Sequence, residues 1–216
     1  MKPKIQIALD TLDSNVALSL AKMAASYVDI IEAGTPLIKS VGIGIVKTLK
    51  GLYPDKLILA DLKSSDVGGY EANMAFEAGA DVVTTQGITT TATVLEVQRM
   101  ADQWKRRAEV DMTGVADVPA RAQELKKLGV SLVLFHRSID EETTAGALWD
   151  EKAIKTVRSL GEIGLDVAIA GGIKADILPL FKGIPLYGIV VGRGITAQAD
   201  PAAAVKRIYD QVHSIW

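Results

Sequence analysis

The chain has 216 residues, no cysteine and a formal net charge of −2 at pH 7, and 49% of its residues are hydrophobic. Without cysteine it has no disulfide, no thiolate metal site and no cysteine nucleophile, which fits a reducing cytoplasm, the compartment we expect. No basic patch suggests nucleic acid binding, and no apolar run approaches the roughly 20 residues of a membrane span. We also expect no signal peptide, because the first residues run directly into a strand pattern.

Eight short apolar segments recur along the chain, each followed by a polar or glycine-containing tip. They are rich in Val, Ile and Leu and mostly do not alternate with polar residues, as expected of parallel strands that are covered on both faces. The predicted strands are residues 5–10, 28–34, 57–63, 81–87, 108–114, 132–138, 167–173 and 187–192.

Helical patterns lie between most of these segments. In the first, Val16, Leu20 and Met23 recur at helical spacing; in the fourth, Pro119 falls in the first turn and Gly129 marks the C-cap. The predicted helices are residues 15–26, 70–80, 89–106, 117–129, 151–161 and 202–215.

The alternation of strands and helices predicts an α/β protein with a parallel sheet. Eight repeats match a single-domain (β/α)8 TIM barrel over residues 1–216, somewhat below the typical size of about 250 residues. A doubly wound open sheet is the alternative, but Gly34, Gly87 and Gly114 do not assemble a G-x-G-x-x-G after the first strand.

The third predicted strand leads directly into three charged residues, Asp61, Lys63 and Asp66. Asp61 and Lys63 are two residues apart, so on a strand they point to the same face. A solvated ion pair is the alternative for an isolated Asp-x-Lys. In a barrel, however, chemistry takes place at the C-terminal strand ends, where other polar tips would surround this pair.

The other strand tips supply further acids and a histidine. Glu32 and Asp61 end neighbouring strands and form a carboxylate pair suited to Mg2+, which keeps several waters. Without metal these carboxylates would repel each other, and Lys63 could bridge them instead. His136 ends the sixth strand, where proton transfer near neutral pH is favoured over a buried structural histidine. Asp10 and Asp111 complete the polar tips.

Two glycine-containing turns follow the last two strands. Gly171 and Gly172 end the seventh strand, and Gly192 with Arg193 ends the eighth. Glycine lets backbone N–H groups approach a phosphate, and the loops after strands seven and eight are the usual phosphate site of this fold. Arg193 adds a fork-shaped cation. The pairing favours phosphate binding over a simple tight turn.

These residues also carry a family resemblance. The chain resembles the orotidine 5′-monophosphate decarboxylase superfamily nearly from end to end, through a D-x-K-x-x-D motif with Glu32 upstream. Within it, the chain resembles the branch of 3-keto-L-gulonate-6-phosphate decarboxylase and D-arabino-hex-3-ulose-6-phosphate synthase. The segments that carry the resemblance are residues 8–10 (ALD), 31–36 (IEAGTP), 60–66 (ADLKSSD) and 192–193 (GR).

The resemblance implies roles for the predicted site residues. Glu32 and Asp61 would bind Mg2+, and Lys63 would stabilise a cis-enediolate. His136 would deliver a proton through water, and Asp66 would reach into the site of a neighbouring subunit, making the active unit a homodimer. The implied set is Lys63, Asp66, Asp111 and His136 for catalysis, Glu32 and Asp61 for metal, and Asp10, Ala170, Gly171, Gly172, Gly192 and Arg193 for the sugar phosphate substrate.

Two sets of residues resemble different members of the branch. Asp111, Ile139 and Ala170 stand where the decarboxylase has Glu, Arg and Thr, and these three choices resemble the synthase. The features that resemble the decarboxylase are residues 136–138, 145–146, 149 and 178–185, together with Arg193.

We therefore predict decarboxylation of 3-keto-L-gulonate 6-phosphate to L-xylulose 5-phosphate and CO2, a step of L-ascorbate catabolism. The first alternative is a synthase that condenses formaldehyde with ribulose 5-phosphate through the same enediolate. The second is a non-catalytic barrel that only binds sugar phosphates.

Overall fold

A computed structural model describes residues 2–138, 140 and 149–216 of the chain. Eight parallel strands pair in chain order, and the pairing of the last strand with the first closes a barrel. This confirms the predicted (β/α)8 barrel. The strands are β1 Lys4–Leu9, β2 Ile30–Ala33, β3 Leu57–Ser64, β4 Val82–Gln86, β5 Arg107–Asp111, β6 Leu132–His136, β7 Asp166–Ala170 and β8 Gly188–Val191.

Helices follow the strands and cover the outside of the barrel, and each predicted helix is present. In the described part of the chain they are α1 Ser14–Ala24, α2 Thr35–Val41, α3 Gly44–Leu52, α4 Gly68–Glu77, α5 Thr91–Trp104, α6 Val118–Lys127, α7 Glu151–Glu162, α8 Arg193–Thr196 and α9 Pro201–Ile215, with a 3-10 helix at Ala175–Phe181.

The helices α2 and α3 between β2 and β3 were not predicted. Only Gly34 separates β2 from α2, so no polar loop marks the start of the helix. Gly42 then interrupts the helical path with a φ of 80°, and the two resulting helices are only 7 and 9 residues long. Segments this short carry too few apolar repeats for a periodic signal.

Apolar side chains fill both faces of the strands. On the outer face, Ile7 and Ile31 belong to the large core that packs under the helices. On the inner face, Ile30, Leu59 and Val82 form a separate apolar cluster inside the barrel. Burial on both faces explains why the strand segments read as continuous apolar runs. No helix within the described ranges has the length and apolar character needed to cross a membrane.

Candidate active site

A pocket of about 400 Å3 opens at the C-terminal ends of the strands. Ten of the 12 predicted site residues line it, because the parallel strands bring their C-terminal ends to the same rim. Asp111 lies behind the pocket wall, in contact with Lys63 and His136, and Asp66 lies elsewhere. The lining residues from the prediction are Asp10, Glu32, Asp61, Lys63, His136, Ala170, Gly171, Gly172, Gly192 and Arg193.

The ammonium group of Lys63 is held between two carboxylates. Its Nζ lies 2.6 Å from Oδ2 of Asp111 and 3.1 Å from Oδ2 of Asp61. Burial lowers the pKa of Lys63, but the charges of Asp61 and Asp111 outweigh this effect, and the net result is a pKa above its ordinary value. Lys63 is therefore a fixed positive charge that faces the pocket.

A backbone irregularity in β3 produces this contact. Lys63 has a φ of 48°, in the left-handed region, and the pairing of β3 with β4 shifts register between Ala60 and Ser64. The backbone N–H of Lys63 donates to Oγ1 of Thr84 at 2.9 Å instead of to a strand carbonyl. Asp61 and Lys63 meet as the sequence predicted, but through a bulge rather than through regular alternation.

Two hydroxyl groups fix the orientation of the Asp61 carboxylate. Oγ1 of Thr84 lies 2.7 Å from its Oδ1, and Oγ1 of Thr35 lies 2.7 Å from its Oδ2. Asp61 is buried, and with Lys63 included it has a donor for each oxygen. These contacts fix the carboxylate in one orientation at the edge of the pocket.

Asp111 links Lys63 to His136. Its Oδ1 accepts from the N–H of Thr113 at 2.9 Å, and its Oδ2 lies 3.1 Å from Nδ1 of His136. Burial raises the pKa of Asp111, but the hydrogen bond from His136 and the charge of Lys63 outweigh it and lower the pKa. An ionised carboxylate only accepts hydrogen bonds, so Nδ1 of His136 carries a proton and Nε2 is the ring nitrogen left for proton exchange.

Of the two predicted metal ligands, Glu32 has fewer hydrogen-bond donors and cations to stabilise a negative charge than Asp61 has. It is buried, and its Oε2 accepts one hydrogen bond, from Nε2 of Gln6 at 2.6 Å. Burial and then the charges of Asp61 and Asp10 raise its pKa well above the ordinary value. Lys63 does not bridge Glu32 and Asp61, since it contacts Asp61 and Asp111 instead.

The chemistry of Glu32 and Asp61 therefore suits the binding of a divalent cation. Two oxygen-donor carboxylates at neighbouring strands, with negative charge that the protein only partly balances, are the ligands that Mg2+ takes together with water. Among the described residues, no group of three or more His, Cys, Asp and Glu is arranged to hold a metal ion. A site with two protein ligands remains compatible with this finding, because Mg2+ is usually bound through one or two carboxylates.

The glycine-containing turns after β7 and β8 form the opposite side of the pocket. Gly171 has a φ of 99°, and a Cβ there would collide with the carbonyl oxygen of Arg137, so this turn requires glycine. Nε1 of Trp149 donates to the carbonyl of Gly171 at 2.8 Å and fixes the turn. Arg193 begins α8 directly after Gly192. The comparison positions Ile139 and 145–146 lie outside the described residues.

Asp66 is not part of this pocket in its own subunit. It is exposed, and its Oδ1 accepts from the N–H of Val67 at 2.8 Å. Val67 has a φ of 45°, which is rare for a β-branched residue. The exposed fractions of Val67 and Tyr70 are 61% and 79%. Asp66 therefore lies next to exposed apolar side chains, outside the mouth of the barrel. Its contribution to a partner subunit stays a prediction.

Six polar side chains that line the site were not predicted: Gln6, Thr35, Thr84, Glu109, Lys174 and Gln198. Gln6 and Glu109 had a usable signal, because each lies an even number of residues before a predicted site residue on the same strand face, Gln6 before Asp10 and Glu109 before Asp111. The two threonines had none, since Thr is common in strands.

Comparisons with known proteins agree with this geometry. Residues 3–208 match the family model "Orotidine 5'-phosphate decarboxylase / HUMPS family". The chain is 37% identical over 205 residues to a 3-hexulose-6-phosphate synthase of Mycobacterium gastri, covering 95% of this chain and 97% of the relative. It is 35% identical over 214 residues to a 3-keto-L-gulonate-6-phosphate decarboxylase of Escherichia coli, covering 99% and 98%.

A solved structure shows the same relationship in three dimensions. A ligand-bound crystal structure of KGPDC from Streptococcus mutans superposes with a TM-score of 0.95 at 34% identity, and the match covers 100% of both chains. The family resemblance read from the strand tips is thereby confirmed. The chain belongs to the orotidine 5′-phosphate decarboxylase / HUMPS family of enzymes.

Proposed function

We propose that this enzyme decarboxylates 3-keto-L-gulonate 6-phosphate to L-xylulose 5-phosphate and CO2 through a cis-enediolate, with Mg2+ as cofactor. The observation that carries the proposal is the position of Lys63. Its ammonium group is held by Asp61 and Asp111 at the wall of a pocket whose other side is formed by the Gly171 and Gly192 turns. A fixed cation opposite a phosphate cradle suits a sugar phosphate that becomes electron-rich during reaction.

The chemistry follows from this arrangement. When the bond between C1 and C2 of the substrate breaks, C1 leaves as CO2 and the electron pair forms a double bond between C2 and C3. Negative charge then collects on the oxygen of the former C3 ketone. Lys63 stabilises that charge, and because Asp61 and Asp111 already hold its ammonium group in place, little reorganisation is needed at the moment of reaction.

Protonation of the enediolate carbon completes the reaction. The geometry at His136 supports this role, since Asp111 binds Nδ1 and leaves Nε2 to exchange a proton with the pocket, directly or through water.

Glu32 and Asp61 would hold the Mg2+, which when bound supplies positive charge against the oxygens of the enediolate. Gly172, Gly192 and Arg193 would hold the phosphate, and Asp10 would contact substrate hydroxyls. We further propose that the enzyme works in the cytoplasm as a homodimer in which Asp66 serves the partner's site. The exposed apolar surface at Val67 and Tyr70 supports this assembly.

A second candidate is the synthase reaction, condensation of formaldehyde with ribulose 5-phosphate. The synthase of Mycobacterium gastri and the decarboxylase of Escherichia coli have similar identity to the chain. In this reaction Nε2 of His136 would accept a proton from C1 of ribulose 5-phosphate, the resulting enediolate would attack the carbon of formaldehyde, and the alkoxide left on the formaldehyde oxygen would take up a proton. Asp111 and Ala170, which resemble the synthase, favour this candidate.

A substrate panel on one enzyme preparation tests the proposal. We expect CO2 release from 3-keto-L-gulonate 6-phosphate at a higher kcat/KM than formaldehyde consumption with ribulose 5-phosphate. The reverse order would assign the synthase reaction. Binding of both sugar phosphates without turnover of either would identify a non-catalytic barrel and contradict the proposal.

A further inference from the structure

A carboxyl group lies at the floor of the pocket without a role in the proposed mechanism. Glu109 belongs to β5, its exposed fraction is 1%, and it lines the same pocket as Glu32 and Lys63. It lies two residues before Asp111, so both side chains point into the barrel. The intervening Val110 packs in the outer core under the helices, consistent with this alternation.

Glu109 lacks the donors that stabilise the neighbouring acids. Within the described residues, its buried Oε1 has no hydrogen-bond partner. Asp61 and Asp111, by contrast, each accept from a hydroxyl group and from Lys63. A buried carboxylate without hydrogen-bond donors is costly, so this position disfavours a charge on Glu109.

The nearest cation below Glu109 is already engaged. Arg107 lies on the same strand, its Nη2 is 2.7 Å from Oδ2 of Asp166, and its guanidinium stacks 4.6 Å from the ring centre of Tyr187. The charge of Arg107 lowers the pKa of Glu109 only as a minor effect. Tyr187 is neutral at physiological pH and supplies no compensating charge.

The other charged groups around Glu109 are mostly negative. From β3 it faces Asp61 and Lys63, and from its own strand Asp111. Burial, and then the charges of Asp111 and Asp61, raise the pKa of Glu109 to about 8, despite the opposing effect of Lys63. The remaining titratable groups on the walls of the pocket are Asp10, Glu32, His136, Lys174 and Arg193.

We propose that Glu109 is a positioning residue of this active site, which must remain uncharged for turnover and which inactivates the site when it ionises. The inference rests on the proposed enediolate chemistry. It assigns Glu109 an effect through Lys63, because a third carboxylate would compete with Asp61 and Asp111 for the one ammonium group. It would also add negative charge where the enediolate has to form.

The direction of the pH effect follows directly. Because the pKa of Glu109 is raised, the group is protonated and the site competent at lower pH, and the competent fraction falls as the pH rises through that pKa. The phosphate cradle lies on the other side of the pocket, so the loss should appear in kcat more than in KM.

The test compares pH profiles of wild type, Glu109→Gln and Glu109→Leu between pH 6 and 9.5. Glutamine and leucine cannot ionise, so the ratio of kcat at pH 9 to kcat at pH 7 should be several-fold higher in these variants than in wild type. Glu162→Gln, at an exposed position on α7, is the matched control and should keep the wild-type ratio. A wild-type profile without an alkaline limb, or variants that fall in parallel with wild type, would overturn the proposal.

A second measurement needs no turnover and so separates this inference from the proposed function. The infrared difference spectrum of wild type minus either variant should show a protonated carboxylic acid band of Glu109 at pH 7 that is gone by pH 9.5. Glu32, whose pKa is also raised, is present in all three proteins and cancels in the difference. If both substrates prove inert, the proposed function fails while this titration still decides the state of Glu109. Identical spectra for wild type and both variants would overturn the inference.

Discussion

Replacement of Lys63 by alanine removes the one ammonium group that Asp61 and Asp111 share. A positioned charge donor of this kind contributes roughly 10²–10³ in rate, equivalent to about 3–4 kcal/mol of transition-state stabilisation. We therefore expect kcat of Lys63→Ala to fall by at least about a hundredfold.

The fold should survive the same substitution. Asp61 keeps the hydroxyls of Thr35 and Thr84, and Asp111 keeps Thr113 and His136. The Lys63 side chain is 26% exposed, so the two carboxylates gain access to water when it is removed. We expect a loss of about 1–3 kcal/mol in the free energy of unfolding, the usual cost of a lost partner at a buried polar group.

The assay measures kcat and thermal unfolding for wild type, Lys63→Ala and the control Lys105→Ala. Lys105 also has a left-handed backbone, with a φ of 53°, but it is exposed at the end of α5 and does not line the pocket. The control therefore matches the backbone conformation while leaving the site intact. Activity of Lys63→Ala within tenfold of wild type would refute the reasoning.

Three further predictions concern metal, assembly and acid stability. EDTA should abolish activity and Mg2+ restore it, because Glu32 and Asp61 present negative charge that the protein only partly balances; full activity in metal-free buffer would contradict this. Mixing inactive Lys63→Ala with inactive Asp66→Ala should make about a quarter of all sites active if Asp66 serves the partner; no recovery after exchange, confirmed by native mass spectrometry, would contradict it. Because the pKa of Asp111 is lowered in the fold, its stabilising charge is present above about pH 4 and is lost as the pH falls. The difference in unfolding free energy between wild type and Asp111→Asn should therefore shrink in acid, and a constant difference would exclude the effect.

The barrel and most of the site could be predicted because topology determines both. Parallel strands covered on two faces produce recurrent apolar segments, and their C-terminal ends must meet at one rim, so the sequence alone predicts that Asp10, Glu32 and His136 lie together. The bulge at Lys63 could not be predicted from the sequence, because neither glycine nor proline marks its position. The structure shows it through the left-handed φ of Lys63, the register shift between β3 and β4, and the hydrogen bond to Thr84.

Glu109 was missed although it shares a strand face with Asp111, because its burial could not be read from the sequence. An acid within a strand pattern is usually assigned to a solvated position, since burial of a carboxyl group is costly. Its state depends on which donors reach it from other strands, and these long-range contacts are not encoded near it in the sequence. The same limit applies to Asp111, whose contacts with Lys63 and His136 join residues far apart in the chain.

The central claim is that this pocket forms a cis-enediolate of a sugar phosphate at Lys63. The most direct measurement is hydrogen–deuterium exchange at C1 of L-xylulose 5-phosphate and D-ribulose 5-phosphate, followed by proton NMR in D2O with Mg2+. Wild type should exchange the C1 proton of at least one of these compounds for deuterium from the solvent, and Lys63→Ala should not. Absence of exchange with both compounds, or equal exchange by wild type and Lys63→Ala, would contradict the account.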